Sequence, residues 1–264
     1  MSTKSKKIVV IGGTGLIGRK LVPLLEAVGH QVLAASPSRG VDSVTGAGLA
    51  SALEGADVVV DVTNSPSFED SAVLRFFETS TRNLLAAAVS SGVGHYIALS
   101  VVGADRVPDS GYLRAKIAQE SLIRAGGVPY TILRATQFFE FLKPIAESCV
   151  EGSVIRLSAG AMQPLAADDV AAALARRVAA GPVNGIVDVA GPERGTMASF
   201  VSRVLDGDAR TIVTDPAARY FGALIDDTSL VPTGAAELGS TTLNQWMMSA
   251  GVPLGQREGD VFAA

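Results

Sequence analysis

A chain of 264 residues has room for one large or two small domains, and 48% hydrophobic against 18% charged residues gives it a sizeable core and excludes intrinsic disorder. A formal net charge of −4 provides no basic stripe to neutralise phosphates, so nucleic acid is not an expected partner. One cysteine, Cys149, and two histidines, His30 and His95, exclude an intrachain disulfide and the usual imidazole and thiolate metal clusters, and no apolar run approaches the roughly 18 residues of a membrane span.

In chain order, a strand is predicted in KIVVIG, then a helix from Leu16 to Val28 whose Leu21, Leu24, Leu25 and Val28 recur at helical spacing. A strand in QVLAA, a helix from Thr45 to Leu53 and a strand in DVVVDV follow. The helix from Glu69 to Ser91 carries Val73, Phe76, Phe77, Leu84 and Ala88 on one stripe, which reads as core. Then come a strand in HYIALSVV, a helix from Tyr112 to Ala125 and a strand in YTILRA. Continuous β-branched runs alternating with helices are the signature of βαβ units, so the expected fold is α/β, a doubly wound, mostly parallel sheet with helices on both faces.

Past Ala135 the pattern loosens. A helix around Phe138 to Glu147 leads to a strand in SVIRLSA, a helix in DDVAAALARRVAA with Asp168 or Asp169 as its N-cap, and the strand-like GIVDVAG. The last seventy or so residues hold turn signals (GPERG, DGDAR, VPTG) and two helical candidates, Met197 to Leu205 and Ala235 to Ala250.

The first strand runs into Gly12-Gly13-Thr14-Gly15-Leu16-Ile17-Gly18 and a helix. Gly12, Gly15 and Gly18 give one dinucleotide-type register and Gly13, Gly15 and Gly18 another, and the spacing leaves both open. Three glycines at fixed offsets are expected by chance about 0.3 times in this composition, so the weight lies in the context: the first strand–turn–helix of a βαβ unit, where backbone approaches a pyrophosphate at a helix N-terminus. The fold expectation sharpens to a Rossmann-type dinucleotide-binding domain over residues 1–158 and a smaller C-terminal substrate-binding cap over 159–264, some of whose strands are free to return to the main sheet. The second strand ends in Ala34-Ala35-Ser36-Pro37-Ser38-Arg39, with no carboxylate to accept from a ribose 2′-OH. Ser36, Ser38 and Arg39 suit a 2′-phosphate, so NADP is the preferred cofactor, and Asp42 slightly further on leaves NAD open.

A Tyr-x-x-x-Lys is expected about 0.09 times by chance and occurs once, at Tyr112 and Lys116. On a helix this spacing puts both side chains on one face, where an ammonium favours the phenolate, as a phenolic acid–base catalyst requires. Ser100 ends HYIALS and offers a hydroxyl to the same substrate oxygen.

Together, GGTGLIG, DVTNSP, the serine of HYIALS, Tyr112-x-x-x-Lys116 and YTILRATQFFEF resemble the short-chain dehydrogenase/reductase superfamily, and more narrowly its atypical, NmrA-like NAD(P)-binding branch. The resemblance is specific over residues 7 to about 142, and MQPLAADDVA and VAGPE extend it more loosely to about 193. It implies that Gly12, Thr14, Gly15, Leu16, Ile17 and Gly18 surround the pyrophosphate and that Thr63 and Asn64 lie by the adenosine side. It further implies that Ser100, Tyr112 and Lys116 form the catalytic set, Lys116 also holding the nicotinamide ribose. Ala135, Thr136, Gln137 and Phe138 match a stretch that in relatives lies near the nicotinamide and opens the substrate pocket, although relatives usually carry Pro-Gly where this chain has Ala135-Thr136.

The expected activity is hydride transfer from NAD(P)H to a small carbonyl or quinone-like substrate with Tyr/Lys acid–base assistance. Two alternatives share every glycine: a dinucleotide-binding redox sensor without turnover, and a quinone or azo reductase using direct hydride transfer. Phe138, Phe139, Phe141, Tyr220, Phe221 and Trp246 lie late in the chain and are expected to wall an apolar pocket, with Phe138 and Tyr220 at its mouth as substrate contacts. MSTKSKK precedes only four apolar residues before GGTG, too few for a signal-peptide core, so the expected compartment is the cytoplasm. A small molecule is the expected partner, with no metal, nucleic acid or membrane, and monomer and homodimer stay equally open.

Overall fold

Each apolar run of the first half forms a strand, and each is followed by a helix. β1 (Lys7–Ile11) leads through the glycine turn into α1 (Leu16–Ala27), and β2 (Gln31–Ala35) leads through a 3-10 turn at Pro37–Arg39 to α2 (Leu49–Leu53). β3 (Val58–Asp61), α3 (Asp70–Ser90), β4 (His95–Val101), α4 (Gly111–Ala125) and β5 (Tyr130–Ala135) complete this half. The second half holds α5 (Leu142–Glu147), β6 (Val150–Glu151), β7 (Val154–Leu157), β8 (Ala161–Met162), α6 (Ala167–Ala180), β9 (Gly185–Ala190) and β10 (Gly195–Thr196). It closes with α7 (Met197–Val204), β11 (Thr211–Thr214), β12 (Glu237–Leu238) and α8 (Leu243–Ser249). This computed structural model describes residues 5–250.

The main sheet is seven-stranded, in the order β12-β9-β5-β4-β3-β1-β2, and every neighbouring pair is parallel. Its strands read as unbroken apolar runs because both faces are covered. Ile8 and Val10 pack with Leu21 and Leu25 of α1 and Val170 and Leu174 of α6, while Val9 and Ile11 pack on the other face with Leu53, Leu84 and Ile123 of α2, α3 and α4. The result is a doubly wound α/β fold of the Rossmann type. Its winding reverses between β1 and β3, which opens a crevice beyond the carboxyl ends of those two strands. No helix among the described residues is long and apolar enough to cross a membrane.

Above that end sits the smaller region, a three-stranded sheet β11-β7-β6 and a two-stranded β10-β8. Its core joins Phe139, Leu142, Ile155, Leu157, Met197, Phe200 and Leu243. Residue 158 does not separate the two regions cleanly, because β9 and β12 return to the main sheet and α6 packs on α1.

Four expected elements differ. The helix from Thr45 shrinks to α2, because Asp42 accepts from the Val44 and Thr45 N–H groups and Gly46 and Gly48 are left-handed. The helix around Phe138 becomes a 3-10 turn at Phe139–Phe141 followed by α5. The N-cap of α6 is Ala166 rather than Asp168 or Asp169: Asp168 pairs with Lys20, Asp169 accepts from the Thr241 N–H, and Glu140 supplies the cap by accepting from the Ala167 N–H. The stretch from Ala235 divides into β12 and α8, the latter started by a Thr242–Gln245 capping box.

Candidate active site

The glycine turn fills the space between β1 and its neighbours. Gly12 has φ +81°, and a Cβ there would lie 2.9 Å from the Val62 carbonyl oxygen just past β3. At Gly18 a Cβ would meet the Gly12 carbonyl oxygen at 2.3 Å, so α1 lies directly on the turn. Gly15 is different: its Cβ would touch only the Gly12 oxygen, at 3.3 Å. Gly15 is also the N-cap of α1, without a side-chain cap and with no acidic residue in the first turn. The N–H groups of Leu16, Ile17 and Gly18 find no partner among the described residues, so a helix N-terminus with free donors faces the crevice. That is a fit for a pyrophosphate.

Beside it, Gly12 and Gly13 donate their N–H groups to the Ala35 carbonyl at the end of β2, which ties the glycine turn to the segment that follows. There Ser36 and Ser38 share a 3.0 Å hydroxyl contact. Arg39 is exposed, and among the described residues its side chain has no ion pair or hydrogen bond. Thr63 and Asn64 follow β3 on the opposite side of the glycine turn. Thr63 donates to Asp61, and Asn64 accepts from the Tyr112 hydroxyl at 3.2 Å.

Tyr112 opens α4, where the Ser110 cap sets the helix start. Its ring packs against Phe68 and Phe77, at centroid distances of 5.7 and 5.9 Å. Burial pushes its phenol above the ordinary tyrosine range. Lys116, one turn on, is 2% exposed. Its Nζ donates to the Leu99 carbonyl at 2.9 Å and to Gln119 Oε1, and it lies 4.2 Å over the Phe77 ring. Burial pushes Lys116 down to about 8, and Asp61 and Glu120 oppose that fall. The two residues therefore share one helix face and one aromatic neighbour, Phe77, without a direct hydrogen bond between them.

Ser100 follows Leu99, whose carbonyl Lys116 bonds, and its own hydroxyl is taken up by Glu120 of α4, donating to Oε1 at 2.7 Å. Glu120 is in turn gripped by Arg134 through bonds of 2.8 and 2.7 Å. Ala135 ends β5, and Thr136 gives its hydroxyl to the Gln163 carbonyl at 2.6 Å. Gln137 is buried, its side-chain oxygen without a hydrogen-bond partner among the described residues. Phe138 stacks on Phe141 at 5.5 Å. Tyr220 packs against the same apolar cluster as Tyr112, and its phenol is pushed up first by burial and then by Tyr112 and Cys149. Phe139 and Trp246 pack together in the cap, and Phe221 is exposed.

Several polar residues around the crevice were not anticipated: Asp61, Tyr96, Gln119, Glu120 and Arg134. Asp61 carried one signal, a carboxylate closing an otherwise apolar strand, and Gln119 and Glu120 carried another, lying three and four positions beyond Lys116 on one helix.

A family model described as NAD(P)H-binding matches residues 12–179. Among curated proteins, the photosystem II assembly factor Ycf39 of Cyanophora paradoxa is 26% identical over 149 residues, covering 51% of this chain and 46% of that protein. The Synechocystis sp. protein of the same name is 24% identical over 150 residues, covering 52% and 46%. The chain spans about half the length of the curated relatives it matches. Among solved structures, a short-chain dehydrogenase/reductase superfamily protein from Agrobacterium tumefaciens with bound NAD superposes with a TM-score of 0.66 at 19% identity, covering 92% of this chain and 95% of that one. The NADPH-dependent quinone oxidoreductase QOR2 of Escherichia coli, complexed with NADPH, gives 0.58 at 23% identity over 79% and 77%. These likenesses show the fold.

Proposed function

Given that the chain belongs to the NAD(P)H-binding family, we propose that it is an atypical short-chain dehydrogenase/reductase that reduces a small carbonyl or quinone-like acceptor, with NADPH as the preferred donor and Tyr112 as the proton donor. One observation carries this reading. The Tyr112 hydroxyl reaches Asn64 just beyond β3, while the glycine turn packs on Val62 of the same segment, so phenol and phosphate cradle border one crevice.

The reduced dinucleotide, when bound, supplies the hydride. The N–H groups of Leu16, Ile17 and Gly18 hold the pyrophosphate, and Ser36, Ser38 and Arg39 take the 2′-phosphate. Lys116 uses two of its three N–H bonds on Leu99 and Gln119, which leaves the third for the nicotinamide ribose. Burial keeps the Tyr112 phenol protonated, the form a proton donor requires. Gln137, Phe138 and Tyr220 line the acceptor side. Ser100, whose hydroxyl is given to Glu120, ties β4 to α4. A second reading, direct hydride transfer to a quinone or azo acceptor without a tyrosine acid, is favoured by the absence of a hydrogen bond between Lys116 and Tyr112.

Purified protein should oxidise NADPH with at least one member of a panel of aldehydes, ketones and quinones. Dinucleotide binding without oxidation by any of them would instead favour a sensor. Two further results are expected from binding alone. Gly15→Ala keeps the fold, since its Cβ meets one atom at 3.3 Å, yet it lowers dinucleotide affinity by at least about tenfold; Gly18→Ala lowers thermal stability as well, since its Cβ would lie 2.3 Å from the Gly12 oxygen. Equal stability of the two variants by thermal unfolding would contradict this account of the turn. Arg39→Ala should weaken NADPH about ten- to a hundredfold, the worth of one charge-assisted bond of roughly 1.5–3 kcal/mol, and leave NADH unchanged. Equal losses for both dinucleotides in a titration would remove Arg39 from the 2′-phosphate.

A further inference from the structure

Beneath α4 runs a chain of buried polar groups that the proposed reaction leaves unassigned. Asp61 is 1% exposed, Gln119 1% and Tyr96 0%. Asp61 Oδ2 accepts from the Tyr96 hydroxyl at 2.9 Å and from Gln119 Nε2 at 3.0 Å. Its Oδ1 accepts from the Thr63 N–H at 3.0 Å and the Thr63 hydroxyl at 2.7 Å. A carboxylate only accepts, so Gln119 must turn its NH2 toward Asp61, and its carbonyl oxygen must then face Lys116. A carbonyl also only accepts, so Lys116 must donate. The donors around Asp61 are all neutral, which makes Lys116, one amide away, the positive charge that answers it.

We infer that Asp61 and Gln119 are positioning residues for Lys116: the buried carboxylate, acting through the Gln119 amide, keeps Lys116 an ammonium and aims its remaining N–H at the cofactor crevice. Lys116 meets the Leu99 carbonyl of β4, the Phe77 ring of α3 and Gln119 of its own helix, and the charges acting on it are Asp61 of β3, which Tyr96 of β4 bonds in turn, and Glu120 of its own helix. Tyr96 stays a neutral donor, since burial and then Asp61 push its phenol far above the ordinary range. Glu120 is already matched by the two-bond grip of Arg134, and Asp61 is the stronger of the two negative charges acting on Lys116. Burial lowers Lys116, and the opposing pulls of Asp61 and, less strongly, Glu120 hold it at about 8.

The inference rests on the reading of Lys116 as a cofactor-handling residue, but its test needs no turnover. The chain has six lysines, so in protein carrying 13C-labelled lysine the Lys116 side-chain signal is assigned by its loss in Lys116→Met. Titrated in the full chain, Lys116 is expected to lose its proton near pH 8, and in Asp61→Asn and in Gln119→Met at least about one unit lower. The alkaline loss of NADPH affinity should move with it. Gln119→Met removes no charge, so it decides the matter should Asp61→Asn fail to fold. An unshifted Lys116 titration in folded Gln119→Met would overturn the inference, since a purely structural glutamine changes stability but not this titration. A protein that binds NADPH and turns over nothing would remove the oxidoreductase reading while a shifted titration left this one standing. Turnover with an unshifted titration would remove this one alone.

Discussion

Tyr112→Phe is expected to lower single-turnover NADPH oxidation about 10²–10⁴-fold, the usual share of general acid catalysis, while dinucleotide affinity survives. The substitution removes one oxygen, bonded to Asn64 at 3.2 Å, and keeps the ring packed on Phe68 and Phe77. Binding and chemistry should therefore separate. Lys116→Ala should damage both, because it removes the crevice cation together with its bonds to Leu99 and Gln119. The sign of the pH dependence follows from burial: Lys116 is charged below about 8, so affinity for the anionic dinucleotide is highest at lower pH and falls as pH rises through that value. A direct-hydride reductase would keep most of its rate in Tyr112→Phe, since a reduced quinone takes its proton from water. A sensor would have no rate to lose. An unchanged single-turnover rate in Tyr112→Phe would take Tyr112 out of the reaction.

The main sheet was legible because a parallel strand covered on both faces reads as a continuous apolar run, as Ile8 to Ile11 and Val58 to Val60 do. The glycine turn was legible because sterics force it: no side chain fits at Gly18. What the pattern did not carry was pairing at a distance. Glu140 caps α6 and accepts from the Trp246 indole at 3.1 Å, uniting three segments that no local signal links, so a local aspartate looked like the cap. Similarly, β12 is two residues long, held by its register against β9, and hydrophobic periodicity cannot single out so short a strand. Tyr112 and Lys116 were visible as a spacing, and so was Gln119 one turn on, but spacing is blind to Asp61 of β3 and Tyr96 of β4, which come from other elements and fix through Gln119 where the Lys116 protons point. Ser100 shows the same limit: its place at a strand end was readable, and the partner that claims its hydroxyl, Glu120, was not.

That partner sets the largest expected loss of stability. Glu120→Leu should cost about 3–5 kcal/mol in urea unfolding, because it leaves the Arg134 guanidinium buried without its two-bond partner. The side chains of Glu120 and Arg134 are 2% and 7% exposed, so water cannot take over. Asp105 bonds Arg134 at 3.0 Å but is half exposed, which softens the loss without cancelling it. Arg134 is in register with Ser100 on β4 and Asp188 on β9, so one unpaired charge there loosens three adjacent strands beneath the crevice. Ser100→Ala should cost only about 1 kcal/mol, the net worth of one hydrogen bond, since Glu120 keeps Arg134. The double variant Glu120→Leu/Arg134→Met should recover most of the loss, because the cost lies in the orphaned charge and not in the missing attraction. A single-variant loss below about 1 kcal/mol, or a double variant as unstable as the sum of the two singles, would show that this pair does not hold β4, β5 and α4 together.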